Sequence, residues 1–203
     1  MCKILYIGQL RLNRRNPNHY ETYDMNIKIF ILLGEPMIGV IHQPFENRTV
    51  WAWRGHGRSK IPEYKTALSN QKDDGVFSII VSRSHQGEVK ELAAEAFGES
   101  SKVTAAGGAG FKALNVAQRK FDAYVHNTAI KKWDICAGNA LLRTVGGDMT
   151  DLYGNKIDYS APVGPDRIGV KLTDGLVATY QNHKTIVQKL KKVMDKKHKI
   201  KVN

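Results

Sequence analysis

Cysteine is almost absent: the 203 residues hold two, Cys2 and Cys136. Two cysteines so far apart match no metal-ligand spacing and build no disulfide framework. Long apolar runs are missing too. No stretch approaches the roughly 18 residues that a membrane-spanning helix needs. The opening MCKILYIGQLRLNRR has too short an apolar segment, and its arginines come too late, for a secretory signal. Acidic residues are scarce, 19 against 31 Lys and Arg, which leaves a formal charge of +12 and favours anionic partners. Eight lysines and one aspartate lie between Lys184 and Lys201, so more than half of that excess sits in the closing stretch. The modestly basic remainder shows no interleaving of charge with aromatics across one face, which argues against a dedicated nucleic-acid binder. No internal repeat is present. Asn47-Arg48-Thr49 is a glycosylation sequon, relevant only in a secretory lumen.

What remains is enough for one domain with a substantial core, 42% of the residues being hydrophobic. NIKIFILL (26 to 33) and MIGVIH (37 to 42), separated by Gly34-Glu35-Pro36, are expected as two strands around a turn, and TVWAWR (49 to 54) as a third. Alternation places Trp51 and Trp53 on one face, which is expected to pack against the core. A loop spans 55 to 75. Strands are then expected at 76 to 81, 102 to 106, 121 to 126 and 175 to 180, with helices at 88 to 97 and 111 to 117. A further helix starts at Asp134 and ends at Gly146-Gly147, and a last one starts near Asn182 and frays after Met194. Strands alternating with helices predict an α/β fold, a sheet covered by helices.

Three junctions carry residues suited to an anion, where such folds keep their ligands, near the carboxyl ends of strands. Ser82-Arg83-Ser84-His85 gathers hydroxyls, a guanidinium and an imidazole at the start of a helix. The plainer alternative is that Ser84 caps the helix and the others are wet. AAGGAGFK, 105 to 112, leaves bare amides at Gly107, Gly108 and Gly110 and sets Lys112 in the first helical turn. Gly108-x-Gly110-x-x-Ala113 also fits a dinucleotide fingerprint, but the next strand ends in His126-Asn127-Thr128 without the carboxylate that fingerprint wants. Tight strand-helix packing is the third option. KKWDICAGNALLRTVGG, 131 to 147, puts Asp134 at a helix start, where it can cap the helix and also turn lone pairs towards a divalent cation. Gly138 within that helix implies a close neighbour.

KKWDICAGNALLRTVGG resembles the second signature of the inositol monophosphatase superfamily of metal-dependent, lithium-sensitive phosphomonoesterases. SRSH, GGAGFK and KKWD together resemble its 3′-phosphoadenosine phosphatase branch, and GEPMIGVIHQPF is similar to the Golgi-resident members of that branch. The resemblance runs from about residue 26 to 182. It implies a layered αβαβα sandwich that removes the 3′-phosphate of adenosine 3′,5′-bisphosphate with Mg2+, in the Golgi lumen. Carried over by position, Asp134 is a magnesium ligand, and Ser82, His85, Gly108 and Lys112 contact the nucleotide.

One departure stands out. The family's first acidic signature, Asp-Pro-x-Asp-Gly/Ala-Thr, is expected just before Asn26, where this chain offers only Glu21 and Asp24 at unsuitable spacing. The expectation is therefore a leader over 1–25, an incomplete phosphatase domain over 26–182, and a helix with a basic tail over 183–203. Its substrate half would be present and its metal half damaged. The alternatives are an inositol monophosphate phosphatase and a non-catalytic nucleotide-binding remnant. Partners expected are a small anionic ester and a second copy in a homodimer, with no nucleic-acid polymer and no membrane segment.

Overall fold

The structure, a computed structural model, describes residues 2–3, 26–61, 76–83, 86–160 and 171–202. Strands β1 (Cys2–Lys3), β2 (Asn26–Leu32), β3 (Glu35–Gln43), β4 (Arg48–Trp53) and β5 (Gly57–Arg58) form an antiparallel sheet in chain order. A second sheet combines β6 (Ser78–Ser82), β7 (Lys102–Ala106), β8 (Ala123–His126), β10 (Asp148–Thr150) and β12 (Leu176–Thr179) in the order β10-β12-β8-β6-β7. A third pairing, β9 (Ile130–Lys131) with β11 (Lys171–Leu172), has no local sequence signal and lies outside the expected elements. The helices are α1 (Gln86–Phe97), α2 (Ala109–Ala117), α3 (Lys132–Thr144) and α4 (His183–Val202).

The first hairpin turns more tightly than expected. Leu33 and Gly34 alone make the turn, with φ of 51° and 76°, the left-handed pair that a two-residue hairpin of right-twisted strands requires. Glu35 and Pro36 belong to β3 instead of the turn, and the register shifts between Phe30 and Ile31, beside the proline that cannot donate to the ladder. On β4, Val50 and Ala52 are the buried residues. Trp51 and Trp53 do share a face, but it is the outer one, where they are 42% and 44% exposed; the expectation that they pack into the core is wrong. Strand alternation fixes that two side chains agree, not which way they point.

Period-two alternation in the second sheet separates two cores. Ile80, Tyr124 and Ala178 face Ala113, Val116, Ile135 and Leu142 of α2 and α3. Ile79, Val81, Ala123 and Val177 face Val89 and Leu92 of α1 and Ile186 and Leu190 of α4. On their other side, α2 and α3 bring Leu114, Ala137 and Leu141 against Ile41, Val50 and Ala52 of the first sheet. The layers are thus sheet, helix pair, sheet, helix pair, an α/β layered architecture of the expected kind. Among the described residues no helix covers the outer face of the first sheet.

Small residues let α3 fit between its neighbours. A Cβ on Gly39 of β3 would lie 2.5 Å from the Ala137 carbonyl oxygen, and one on Gly138 would lie 2.4 Å from the Ala113 Cβ of α2. The close neighbour implied by Gly138 is therefore Ala113. At the far end of the chain, α4 does not fray after Met194 but continues to Val202. Val187, Leu190 and Val193 hold it against α1, and Lys197 Nζ lies 2.7 Å from Glu95 Oε1.

Candidate functional site

Strand β6 is parallel to both β7 and β8. The α1 crossover from β6 to β7 packs on one face of this sheet and the α2 crossover from β7 to β8 on the other. Loops leaving the carboxyl ends of neighbouring strands in opposite directions open a crevice there, the usual ligand position in an open α/β sheet. Ser82 ends β6 in register with Ala106, which ends β7, so the serine-arginine turn and the glycine turn lie side by side.

The glycine turn is shaped by its own lysine. Gly108 stands just before α2 with φ +71°, a left-handed conformation that L side chains rarely adopt. Lys112 is only 3% exposed, and its Nζ donates back to the carbonyl oxygens of Gly108 at 3.0 Å and Ala106 at 3.3 Å. It lies 5.0 Å from the centre of the Tyr124 ring. Burial brings the Lys112 pKa down to about 8, Arg83 pushes the same way, and Asp134 opposes them. The resemblance implies a nucleotide contact for Lys112; two of its three N–H donors go to these carbonyls, which sets a positive charge at the turn. Arg83 is exposed, and its guanidinium lies against Gly107, where a Cβ would be 2.9 Å from Nη2.

Asp134 belongs to the first turn of α3, but it is not the cap. Lys131 occupies that position, and its side chain accepts nothing. The carboxylate benefits instead from the helix dipole and from the cations around it. It is half-buried, and desolvation raises its pKa against the pull of Lys131 and Lys112. Beside it, burial and then the Asp134 charge push the Tyr124 phenol above its ordinary range. Tyr124 is fully buried, and its hydroxyl has no partner among the described residues. Nothing in the strand pattern of FDAYVH marks Tyr124 as a site residue; only the approach of the Lys112 ammonium to its ring does. His126 Nε2 and Thr128 Oγ1, 3.1 Å apart, lie at the carboxyl end of β8.

Of the expected site residues, Ser82, Gly108, Lys112 and Asp134 gather at this crevice, joined by Arg83 and Tyr124. His85 lies outside the described residues, as do Glu21 and Asp24. The donor set does not by itself fit magnesium. That ion wants a near-octahedral shell of oxygen ligands, and among the described residues no group of three His, Cys, Asp or Glu could hold a metal. Cys136 is buried in α3, with its thiol pushed up to about 12 chiefly by burial, and contributes no nucleophile. No helix among the described residues is long and apolar enough to cross a membrane.

Comparison with known proteins identifies the family. A model of the inositol monophosphatase family matches residues 27–195. The chain is 43% identical over 164 residues to inositol monophosphatase 3 of Danio rerio, covering 77% of this chain and 44% of that protein. It is 40% identical over 202 residues to the human Golgi-resident adenosine 3′,5′-bisphosphate 3′-phosphatase, covering 96% of this chain and 53% of that protein. It thus spans about half the length of these relatives. In fold it is similar to an IMPase/NADP phosphatase complexed with Mg2+ and phosphate, with a TM-score of 0.60, 20% identity, and coverage of 82% of this chain and 58% of that one. Sequence and fold together place the chain in the inositol monophosphatase family.

Proposed function

We propose that the crevice at the carboxyl ends of β6, β7 and β8 binds adenosine 3′,5′-bisphosphate, and that the chain is a 3′-phosphomonoesterase by descent. The observation that carries this reading is the pairing of a glycine turn, held open by the buried Lys112 ammonium, with the Asp134 carboxylate on the neighbouring helix. Bare amides above a fixed cation favour a phosphate dianion. Ser82 adds a hydroxyl at the adjoining strand end, and His85 an imidazole by the resemblance. The name of the human relative supports the bisphosphate. Golgi residence is proposed on the same ground.

In this reading the chain's own residues bind and orient the ester. Lys112 neutralises charge from below, the turn amides point at phosphate oxygens, and Asp134 stands where a magnesium ion would be held. Magnesium, when bound, supplies Lewis-acid stabilisation of the phosphoryl group. Asp134 needs further oxygen ligands to retain it, and among the described residues no group of three His, Cys, Asp or Glu could supply them, which favours binding without turnover as the second reading.

Calorimetry with adenosine 3′,5′-bisphosphate, paired with a phosphate-release assay in Mg2+ with and without lithium, tests both. Binding with lithium-suppressed phosphate release supports the enzyme, and binding with no release supports the non-catalytic reading. If inositol monophosphate binds tightly and the bisphosphate does not displace it, the nucleotide assignment is wrong.

A further inference from the structure

We propose that Arg83 recognises the second, non-transferred phosphate of the ligand, and so separates a bisphosphate from a monophosphate at the same crevice. The inference rests on the nucleoside bisphosphate reading above. Two cations flank the glycine turn, and they differ in what they can do. Lys112 is 3% exposed and its ammonium is committed to the carbonyls of Ala106 and Gly108. Arg83 is exposed on the rim. Its guanidinium lies against Gly107, Nη2 nearest: the position a Cβ would take is 2.9 Å from Nη2, 3.6 Å from Cζ and 3.8 Å from Nε. Gly107, unlike Gly108, is not among the positive-φ glycines, so its backbone could carry a side chain. What a side chain there would displace is the guanidinium. A planar fork on an exposed side chain, resting against bare backbone, is suited to bidentate contact with a phosphate.

The order of charges across the crevice assigns the two phosphates. Lys112 lies within electrostatic reach of Arg83 and of Asp134, while Asp134 is perturbed by Lys131 and Lys112. Asp134 is the one anion among these charges and the group a divalent cation would share, so the phosphate to be transferred is assigned to Asp134 and the other to Arg83, the cation against Gly107.

Calorimetric affinities of wild type, Arg83→Gln and Gly107→Ala for adenosine 3′,5′-bisphosphate and for adenosine 3′-monophosphate, at one salt concentration, test this. Losing a charge-assisted bidentate contact predicts that Arg83→Gln weakens bisphosphate binding about 10- to 100-fold and changes 3′-monophosphate binding less than about 2-fold. Gly107→Ala, which keeps the arginine but pushes it aside, is expected to show the same selectivity. Should Gly107→Ala fail to fold, Arg83→Gln decides alone. Equal weakening of both ligands, or of neither, overturns the assignment of Arg83. A wild type that binds neither nucleotide overturns the reading of the crevice itself.

Discussion

Gly138→Ala sets helix propensity against packing. Alanine in a helix interior is favoured over glycine by about 1 kcal/mol, so a Gly138 free of close neighbours would make this variant more stable. The structure leaves no room for the gain. The new Cβ would sit 2.4 Å from the Ala113 Cβ, where carbon atoms in contact keep about 3.5–4.0 Å, so α2 and α3 would have to part by more than about 1 Å. Nor can α3 retreat, because Ala137 and Ala140 already press on the Gly39 backbone of the first sheet. Overpacking of this kind costs about 1–3 kcal/mol, and lack of slack on both sides favours the upper end. After the propensity gain, a net loss of about 1–2 kcal/mol is expected, or about 2–8 °C in Tm at this chain length. Urea unfolding measures it, and Ala113→Gly supplies the control. In the double variant a methyl group moves from one helix to the other across the same contact, and stability should return to within about 1 kcal/mol of wild type. The parting of α2 from α3 would also carry Lys112 away from Asp134, so bisphosphate affinity should fall in Gly138→Ala and recover in the double variant. A Gly138→Ala protein as stable as wild type, or single effects that merely add, would refute the close approach.

Three further outcomes follow from the packing. Glu35 Oε2 accepts from Arg54 at 3.0 Å and Arg143 at 2.6 Å, and Oε1 pairs with Lys156, tying the first hairpin to α3 and to the turn after β10; Glu35→Gln should cost about 1–3 kcal/mol in urea unfolding because the largely buried Arg143 keeps only Asp148, 3.2 Å from its Nε, as counter-charge. His183 is held neutral: Thr150 Oγ1 donates to the Asp151 carbonyl at 2.8 Å, so His183 Nε2 must donate to Thr150 and Nδ1 accept from Thr179. Burial lowers the His183 pKa from its ordinary 6.5, with Asp148 opposing and Arg143 assisting. The unfolded chain therefore takes up this proton first, and the ring's contribution, intact above 6.5, should fade as pH drops from there to the folded value. In His183→Gln that part of the pH slope of stability should vanish. Replacing Trp51 and Trp53 by Thr, on a face where both are more than 40% exposed, should change stability by less than about 1 kcal/mol; a larger loss, seen in thermal unfolding, would mean they are core residues after all.

Much of the fold is legible in the sequence, and the failures share a cause. KVTAA is a strand over its whole expected length because β-branched residues and a following glycine turn agree locally. The ends of α1 and α3 are likewise written in Gly98 and in Gly146-Gly147. The face presented by Trp51 and Trp53 is not, because it depends on Ala137 and Leu141, some 85 residues later, lying against Val50 and Ala52. The β9–β11 pairing escapes for the same reason: two residues carry no periodicity, and their partner is distant. The persistence of α4 depends on Val187, Leu190 and Val193 packing against α1, with Glu95 meeting Lys197 beyond them, which a count of lysines reads only as solvation.

At the site, residue types were legible and their division of labour was not. GGAGFK offers bare amides beside a lysine, but it does not say that Lys112 turns back on the carbonyls of Ala106 and Gly108 or that Arg83 lies against Gly107. Once that is seen, binding and hydrolysis become separable. Among the described residues, Arg83, Lys112 and Lys131 stand against the carboxylate of Asp134, a charge balance that favours an anion. Holding a magnesium ion against the same three cations demands more negative charge than Asp134 provides. The proposed reading therefore predicts salt-sensitive binding of the bisphosphate by these residues on their own, and turnover is the property that measures whether other carboxylates join Asp134.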